Sequence, residues 1–178
     1  MVDEEIVELV KKGNTEAFGE IVEKYQGPIL GYIRKMINQT TEEAEDLTQE
    51  VLISAYENIN GFERGRKFSS WIYRIAHNKA IDYFKKRKVK TSQIEDMEEL
   101  LMENKQLIED LEIQKEEIKK LRMAVEKLEL NFREIIVLNY FEEKSYEEIS
   151  DILKIPVNNV GVLLYRARKL LKKIYEKI

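Results

Sequence analysis

The chain has 178 residues, 43% hydrophobic and 36% charged, with a formal net charge of −4, seven Gly, two Pro and no Cys. The missing cysteine excludes disulfides, thiolate metal sites and cysteine nucleophiles, and the scarcity of Gly and Pro removes the punctuation that all-β folds require. No apolar run approaches the ~18 residues of a membrane span, and the acidic start MVDEEIVELVKK has no apolar core of a secretory signal, so a cytoplasmic, all-α protein is expected.

In chain order, Ile6, Leu9 and Val10 predict a short opening helix. A second starts near Asn14, with Phe18, Ile21, Val22 and Tyr25 on one face, and Gly27-Pro28 should interrupt it, because Pro cannot donate the helical hydrogen bond. Ile29, Tyr32, Ile33, Met36 and Ile37 then resume the helical period. Thr40 with Glu43 forms a capping box for the next helix, which presents Ala44, Leu47, Val51, Leu52 and Ala55 and ends at Asn60-Gly61. A polar loop from Phe62 to Phe68 leads to Ser69 or Ser70 as the expected N-cap of a helix from Trp71 to about Lys88.

Composition changes after Lys90. Thr91 to Lys120 holds ten acids and four lysines with sparse apolar residues, which predicts a partly helical acidic linker. From Leu121 the helical pattern returns, with Val125, Leu128, Phe132, Ile135, Ile136 and Leu138 as an apolar stripe. Ser145 and Glu148 make a second capping box, opening a short helix to Leu153. Lys154-Ile155-Pro156 is a tight turn, and a final helix carries Val160, Leu164, Ala167, Leu170 and Leu171. A short helix, a brief turn and a second helix with a basic tail is helix-turn-helix organisation. The expected architecture is therefore an N-terminal helical bundle over 1–90, a linker over 91–120 and a helix-turn-helix domain over 121–178.

The charge is segregated. Arg66 to Lys90 holds nine basic residues against Asp82 alone, and Arg166 to Ile178 holds six against Glu176 alone, whereas Thr41 to Glu57 holds six acids and no base. Local field rather than net charge governs approach to a polyanion, so two nucleic-acid contacts and a further partner for the acidic part are expected. In FSSWIYRIAHNKAIDYFKKRK, aromatic rings interleave with cations, the arrangement that lets bases stack while Lys and Arg follow phosphates. Trp71, Ile72, Ile75, Ala76 and Ala80 also satisfy a plain core pattern. Arg74, Asn78 and Lys79 lie off it, beside the basic end formed by Lys85, Lys86 and Arg87.

At this point the resemblance is specific. AEDLTQEVLISAYENINGF followed by KFSSWIYRIAHNKAIDYFKKRK resembles the second conserved region of extracytoplasmic-function sigma factors of bacterial RNA polymerase. EKLELNFREIIVLNYFEEKSYEEISDILKIPVNNVGVLLYRARKLLK resembles their fourth region, in the expected order. The resemblance implies that the chain binds core polymerase and directs initiation at particular promoters. It places Asp46, Leu47, Gln49 and Glu50 on the β′ clamp coiled coil. It implies that the loop holding Phe62, Arg64, Arg66 and Lys67 captures a base flipped from the minus-ten element, at a cost of a few kcal/mol of stacking. Ser70, Trp71, Arg74, Asn78, Lys79 and Asp82 would hold or read the unpaired strand. The fourth region would bind the minus-35 duplex and the β flap, and an anti-sigma factor is an expected partner.

The fourth region departs from the family pattern, in which a Gly-Thr pair and then basic and hydroxyl residues follow the turn. Here the run is Asn158-Asn159-Val160-Gly161-Val162-Leu163. Asn158 and Asn159 retain hydrogen-bonding capacity for phosphates or an adenine edge, Gly161 weakens the helix, and Val162 is apolar. Arg166, Arg168 and Lys169 follow as phosphate ligands, so weaker or unusual minus-35 recognition is expected, or a protein partner at Val162 and Leu163.

The lone His77 is read as a surface or half-buried side chain rather than a metal ligand or a DNA contact. The carboxylates Glu42, Glu43, Glu45, Asp46 and Glu50 have no His partner or phosphate loop and read as partner-binding surface. No nucleophile–base arrangement is apparent, so neither catalysis nor a cofactor is expected. Two rivals remain at this stage: a self-sufficient dimeric regulator, for which the Trp71–Lys88 segment has no use, and a decoy that binds polymerase without starting transcription.

Overall fold

The computed structural model describes residues 2–37, 40–91 and 109–178, with only the backbone described for residues 87–91 and 109–115. Among these are eight α-helices and no strand: α1 (Asp3–Lys11), α2 (Phe18–Ile37), α3 (Thr41–Glu57), α4 (Phe68–Thr91), α5 (Glu109–Glu126), α6 (Leu130–Ile136), α7 (Tyr146–Leu153) and α8 (Val157–Tyr175). The fold is all-α, as composition and periodicity require.

Local signals formed much of this. Thr40 Oγ1 accepts from the Glu43 amide at 3.3 Å and opens α3. Ser145 and Glu148 cap α7 reciprocally, at 3.2 and 2.9 Å. Lys154 ends α7 in the left-handed conformation (φ 56°), and Pro156 occupies the cap position of α8, accepting from the Asn159 amide at 2.9 Å.

Two expectations are corrected. α2 runs through Gly27-Pro28 without a break. Tyr25, Ile29, Tyr32 and Ile33 are all buried on the opposite side, and their burial outweighs one lost hydrogen bond. Pro28 and Lys24 lie on the exposed side, where water can serve the freed carbonyl. The second correction concerns α4, which starts at Phe68 rather than after a serine cap. Its first amide, on Phe68, donates to the Glu4 carboxylate of α1 at 3.1 Å. A neighbouring helix supplies the cap, and Ser70 is buried inside the helix.

Between α6 and α7 the chain widens into a π-type turn, Val137–Phe141, which buries Val137 and Leu138 and leaves Tyr140 and Phe141 exposed. This turn, α6 and α7 lie directly on α2 and α4, and one continuous apolar core joins both halves of the chain. The seam is polar. Glu134, 2% exposed, accepts from the Tyr32 hydroxyl at 2.5 Å and meets His77 Nδ1 at 2.5 Å. Glu142 accepts from the Tyr73 hydroxyl at 2.6 Å and from Lys35 Nζ at 3.0 Å. Arg133 spans the seam, donating to the Met36 carbonyl of α2 at 2.7 Å and to the Glu126 and Leu128 carbonyls at the end of α5.

Candidate nucleic-acid and polymerase interfaces

On α3, Asp46, Gln49 and Glu50 are exposed, and Glu50 pairs with Lys79 at 3.1 Å. Leu47 is buried in the core, so it supports the helix from within. The exposed apolar position that the sequence reading missed is Ile53, 57% exposed one to two turns after Asp46 and Gln49. An acidic ridge with an aliphatic centre suits a basic partner helix.

The loop 62–67 carries Gly65 at φ 85°, a conformation that favours glycine. Phe62, 5% exposed, belongs to an aromatic cluster with Phe68 and Trp71, ring centroids 5.5 and 5.6 Å away. Phe62 and Ser70 therefore anchor the loop rather than line its surface, and Trp71 packs behind it with only an edge toward the neighbouring cleft. Arg64 is held by Glu8, and Arg66 by Glu63 at 2.7 Å. These carboxylates raise the guanidinium pKa values further.

Along α4, Asn78, Asp82, Lys85 and Lys86 are exposed and Arg74 and Lys79 half-buried, while the Arg87 side chain lies outside the described residues. Trp71, Arg74, Asn78, Lys79, Asp82 and Lys86 face Glu50 and Ser54 of α3 and its C-cap Asn58 across an open cleft of about 460 Å³. The cleft has the mixed amide, cation and ring chemistry that an unpaired nucleotide requires.

The cations at the head of this face are not free. Arg66 pairs with Asp151 of α7 at 3.0 Å, Arg74 approaches the same carboxylate at 3.8 Å, and Lys67 pairs with Glu148 at 3.2 Å. Burial alone would raise the Asp151 carboxyl, but its Lys154 hydrogen bond and the charges of Lys154, Arg74 and Arg66 hold it below its ordinary value. Glu148 is likewise pushed up by burial but lowered overall by the Ser145 amide and by Lys67. Two carboxylates of the second half thus stand against three cations of the first.

On α8, Val160, Leu164 and Ala167 are buried. At 3.6 residues per turn, Asn158, Val162, Tyr165 and Lys169 fall on the opposite, exposed side, with Asn159 and Arg166 flanking them. Gly161 sits near Tyr146 of α7, where an added Cβ would meet the ring at 3.5 Å. Arg168 lies on the other flank, its guanidinium 5.9 Å from the Tyr140 ring. There it lines a second cleft, about 600 Å³, walled by Ile118, Leu121, Val125, Ile136, Tyr140 and Phe141. This apolar groove between α5 and α8 was not foreseen, because Ile118 fell in the segment read as linker. The spacing Ile118, Leu121, Val125 was the available signal. Among the described residues, no group of three or more His, Asp or Glu is arranged to hold a metal ion, and no helix is long and apolar enough to cross a membrane.

Comparison with known proteins matches the two halves separately. Residues 21–89 match the family model for sigma-70 region 2, and residues 118–171 that for sigma-70 region 4. The chain is 37% identical to the ECF RNA polymerase sigma factor SigW of Bacillus subtilis, covering 94% of this chain and 93% of the relative. It is 30% identical to the RNA polymerase sigma-H factor of Pseudomonas aeruginosa, over 99% and 95% respectively. Among solved structures it resembles CnrH in complex with the cytosolic domain of CnrY, with a TM-score of 0.72, 21% identity and coverage of 98% and 97%. It also resembles RpoE in complex with the anti-sigma factor NepR from Bartonella quintana, with a TM-score of 0.71, 22% identity and coverage of 89% and 96%. At these identities the two structures speak for the fold.

Proposed function

The chain belongs to the extracytoplasmic-function sigma factors of the sigma-70 family, a promoter-specific initiation factor, and from that premise we propose how its surfaces divide the work. Residues 1–90 form the unit that engages core polymerase and the melted minus-ten strand. Residues 121–178 form the unit that engages the minus-35 duplex. The ridge of Asp46, Gln49, Ile53 and Glu50 docks on the β′ clamp coiled coil, with Leu47 holding its backbone. The cleft beside Arg74, Asn78 and Asp82 receives unpaired minus-ten bases, while Lys79, Lys85, Lys86 and Arg87 follow the phosphates. Arg64, Arg66 and Lys67 close one end of that track. The α5–α8 groove takes an apolar partner helix, from the β flap or from an anti-sigma factor. The chain acts by binding and has no chemistry of its own.

One observation carries the residue assignment: the carboxylates Glu148 and Asp151 stand against Arg66, Lys67 and Arg74, as phosphates would. The closed arrangement is accordingly the form held before polymerase is met. Promoter elements centred some 25 base pairs apart lie ~85 Å apart along B-form duplex at 3.4 Å per pair, whereas α4 and α7 touch. The two halves therefore separate for the protein to work, and the free chain should bind duplex promoter weakly.

The test is transcription in vitro from a randomised promoter library by purified bacterial core polymerase, with and without the chain. New sequence-dependent starts should appear only with it, and Asn78→Ala and Arg74→Ala should lose them while still binding core. Tight core binding without any new start would refute the proposed division.

A further inference from the structure

The part of α8 that a helix-turn-helix presents to base edges is its N-terminal half, and here that half, Val157–Tyr165, contains no charged residue. Its exposed stripe consists of Asn158, Val162 at 49% exposure and Tyr165 at 66%. The commonest base-specific contact, Arg or Lys forking onto guanine O6 and N7, has no donor there. What remains is an apolar surface with an adjacent amide. In the major groove those side chains match the thymine C5-methyl and the adenine N6/N7 edge.

The surface also has a charge context. The same face of α8 continues into Arg166, Lys169, Lys172 and Lys173, so a polyanion can lie along its whole length with the apolar stripe over the base edges. An acidic protein helix would satisfy the cations equally, but it would not call for paired amides at Asn158 and Asn159.

We propose that α8 reads its minus-35 element by thymine methyls, packed against Val162 and Tyr165, and by an adenine edge held by Asn158, with no guanine-directed contact. This deepens the proposed minus-35 role of α8 and rests on it. Specificity then comes from shape-matched apolar contact, while Arg166, Lys169 and Lys173 supply sequence-independent attraction to phosphates.

The experiment uses the holoenzyme formed by core polymerase and the full chain. Promoters are first selected from a library randomised only across the minus-35 element, and each selected thymine is then replaced singly by uracil, which keeps the hydrogen bonds and removes the methyl. Selection of A·T pairs is expected opposite α8, with uracil weakening holoenzyme binding about three- to fivefold at each methyl contact. Val162→Ser should abolish the thymine–uracil difference at one position, with an unchanged melting temperature excluding misfolding.

Strong minus-35 dependence that ignores uracil, or selection of guanine at the α8 positions, would overturn methyl reading and leave the minus-35 role intact. Initiation indifferent to the whole element would overturn that role as well. Loss of core or partner binding in the Val162 variant, with an unchanged thymine–uracil ratio, would assign the face to a protein and equally overturn the proposal.

Discussion

The seam between α4 and α7 makes a quantitative prediction. The paired change Glu148→Gln with Asp151→Asn removes both negative charges with little change of volume. Gln at 148 still serves the capping box, so α7 itself should persist. The charges lost oppose Arg66 at 3.0 Å, Arg74 at 3.8 Å and Lys67 at 3.2 Å. All are at least partly exposed, and such pairs contribute ~0.2–1 kcal/mol each, so their joint loss should weaken closure by roughly 1–2 kcal/mol. That corresponds to about a five- to thirtyfold shift toward the open form. Because the chain has no native cysteine, Glu23→Cys and Lys177→Cys can carry a donor–acceptor dye pair, one in each half. Transfer efficiency should fall in the variant, and raising salt from 0.05 to about 0.5 M should open the parent while changing the variant much less. Unchanged transfer at low salt would refute the reasoning and assign closure to the apolar seam and to Glu134 and Glu142.

Three further outcomes are expected. The carboxyls of Asp151 and Glu148 are held below their ordinary values of 3.8 and 4.5, so their stabilisation is present above those values and is lost as pH falls through the lowered ones. Tyr32 and Tyr73 are shifted upward, chiefly by burial and then by Glu134 and Glu142 respectively; their contribution is present below pH 10 and lost as pH rises further. Melting curves should therefore drop at both extremes, and Glu148→Gln with Asp151→Asn should flatten only the acid side. Gly161→Ala should raise the melting temperature by about 2–4 °C, since a Cβ meets the Tyr146 ring at an ordinary 3.5 Å and Ala is favoured over Gly by ~1 kcal/mol; a fall would show that the site is tighter than that. Arg133→Met should cost about 2–4 kcal/mol in denaturant unfolding, because it orphans three helix-end carbonyls, and Arg133→Lys should not rescue it, since an ammonium cannot fork.

What was legible in the sequence was local. The caps at Thr40 and Ser145, the helix-turn-helix and the acidic face of α3 rest on residues a few positions apart. What escaped were effects carried across the fold. Pro28 read as a break because the burial of Tyr25 and Ile29 around it cannot be weighed from a dipeptide. Ser69 or Ser70 read as a cap because the true acceptor, Glu4, lies 64 residues upstream of Phe68. Phe62 read as a surface ligand, although its ring closes on Phe68 and Trp71, whereas the burial of Trp71 follows the core pattern of α4. His77 was left open as surface or half-buried, and its partner Glu134 was not foreseen. That acid interrupts the stripe of Phe132, Ile135 and Ile136, and a carboxylate among apolar residues was the one available hint that a tyrosine and a histidine would converge there.

The π-type turn Val137–Phe141 is a party wall. On one side Tyr140 and Phe141 line the α5–α8 groove. On the other, Lys35 of α2 lies 5.4 Å from the Phe141 ring, and the next residue, Glu142, takes the Tyr73 hydroxyl and the same lysine. An occupant of the groove and the first half of the chain therefore lean on the same few side chains from opposite faces. If occupancy favours one arrangement of the halves by some factor, that arrangement must favour the occupant by the same factor. A helix seated between α5 and α8 would then act as a key for the seam while touching none of its ion pairs.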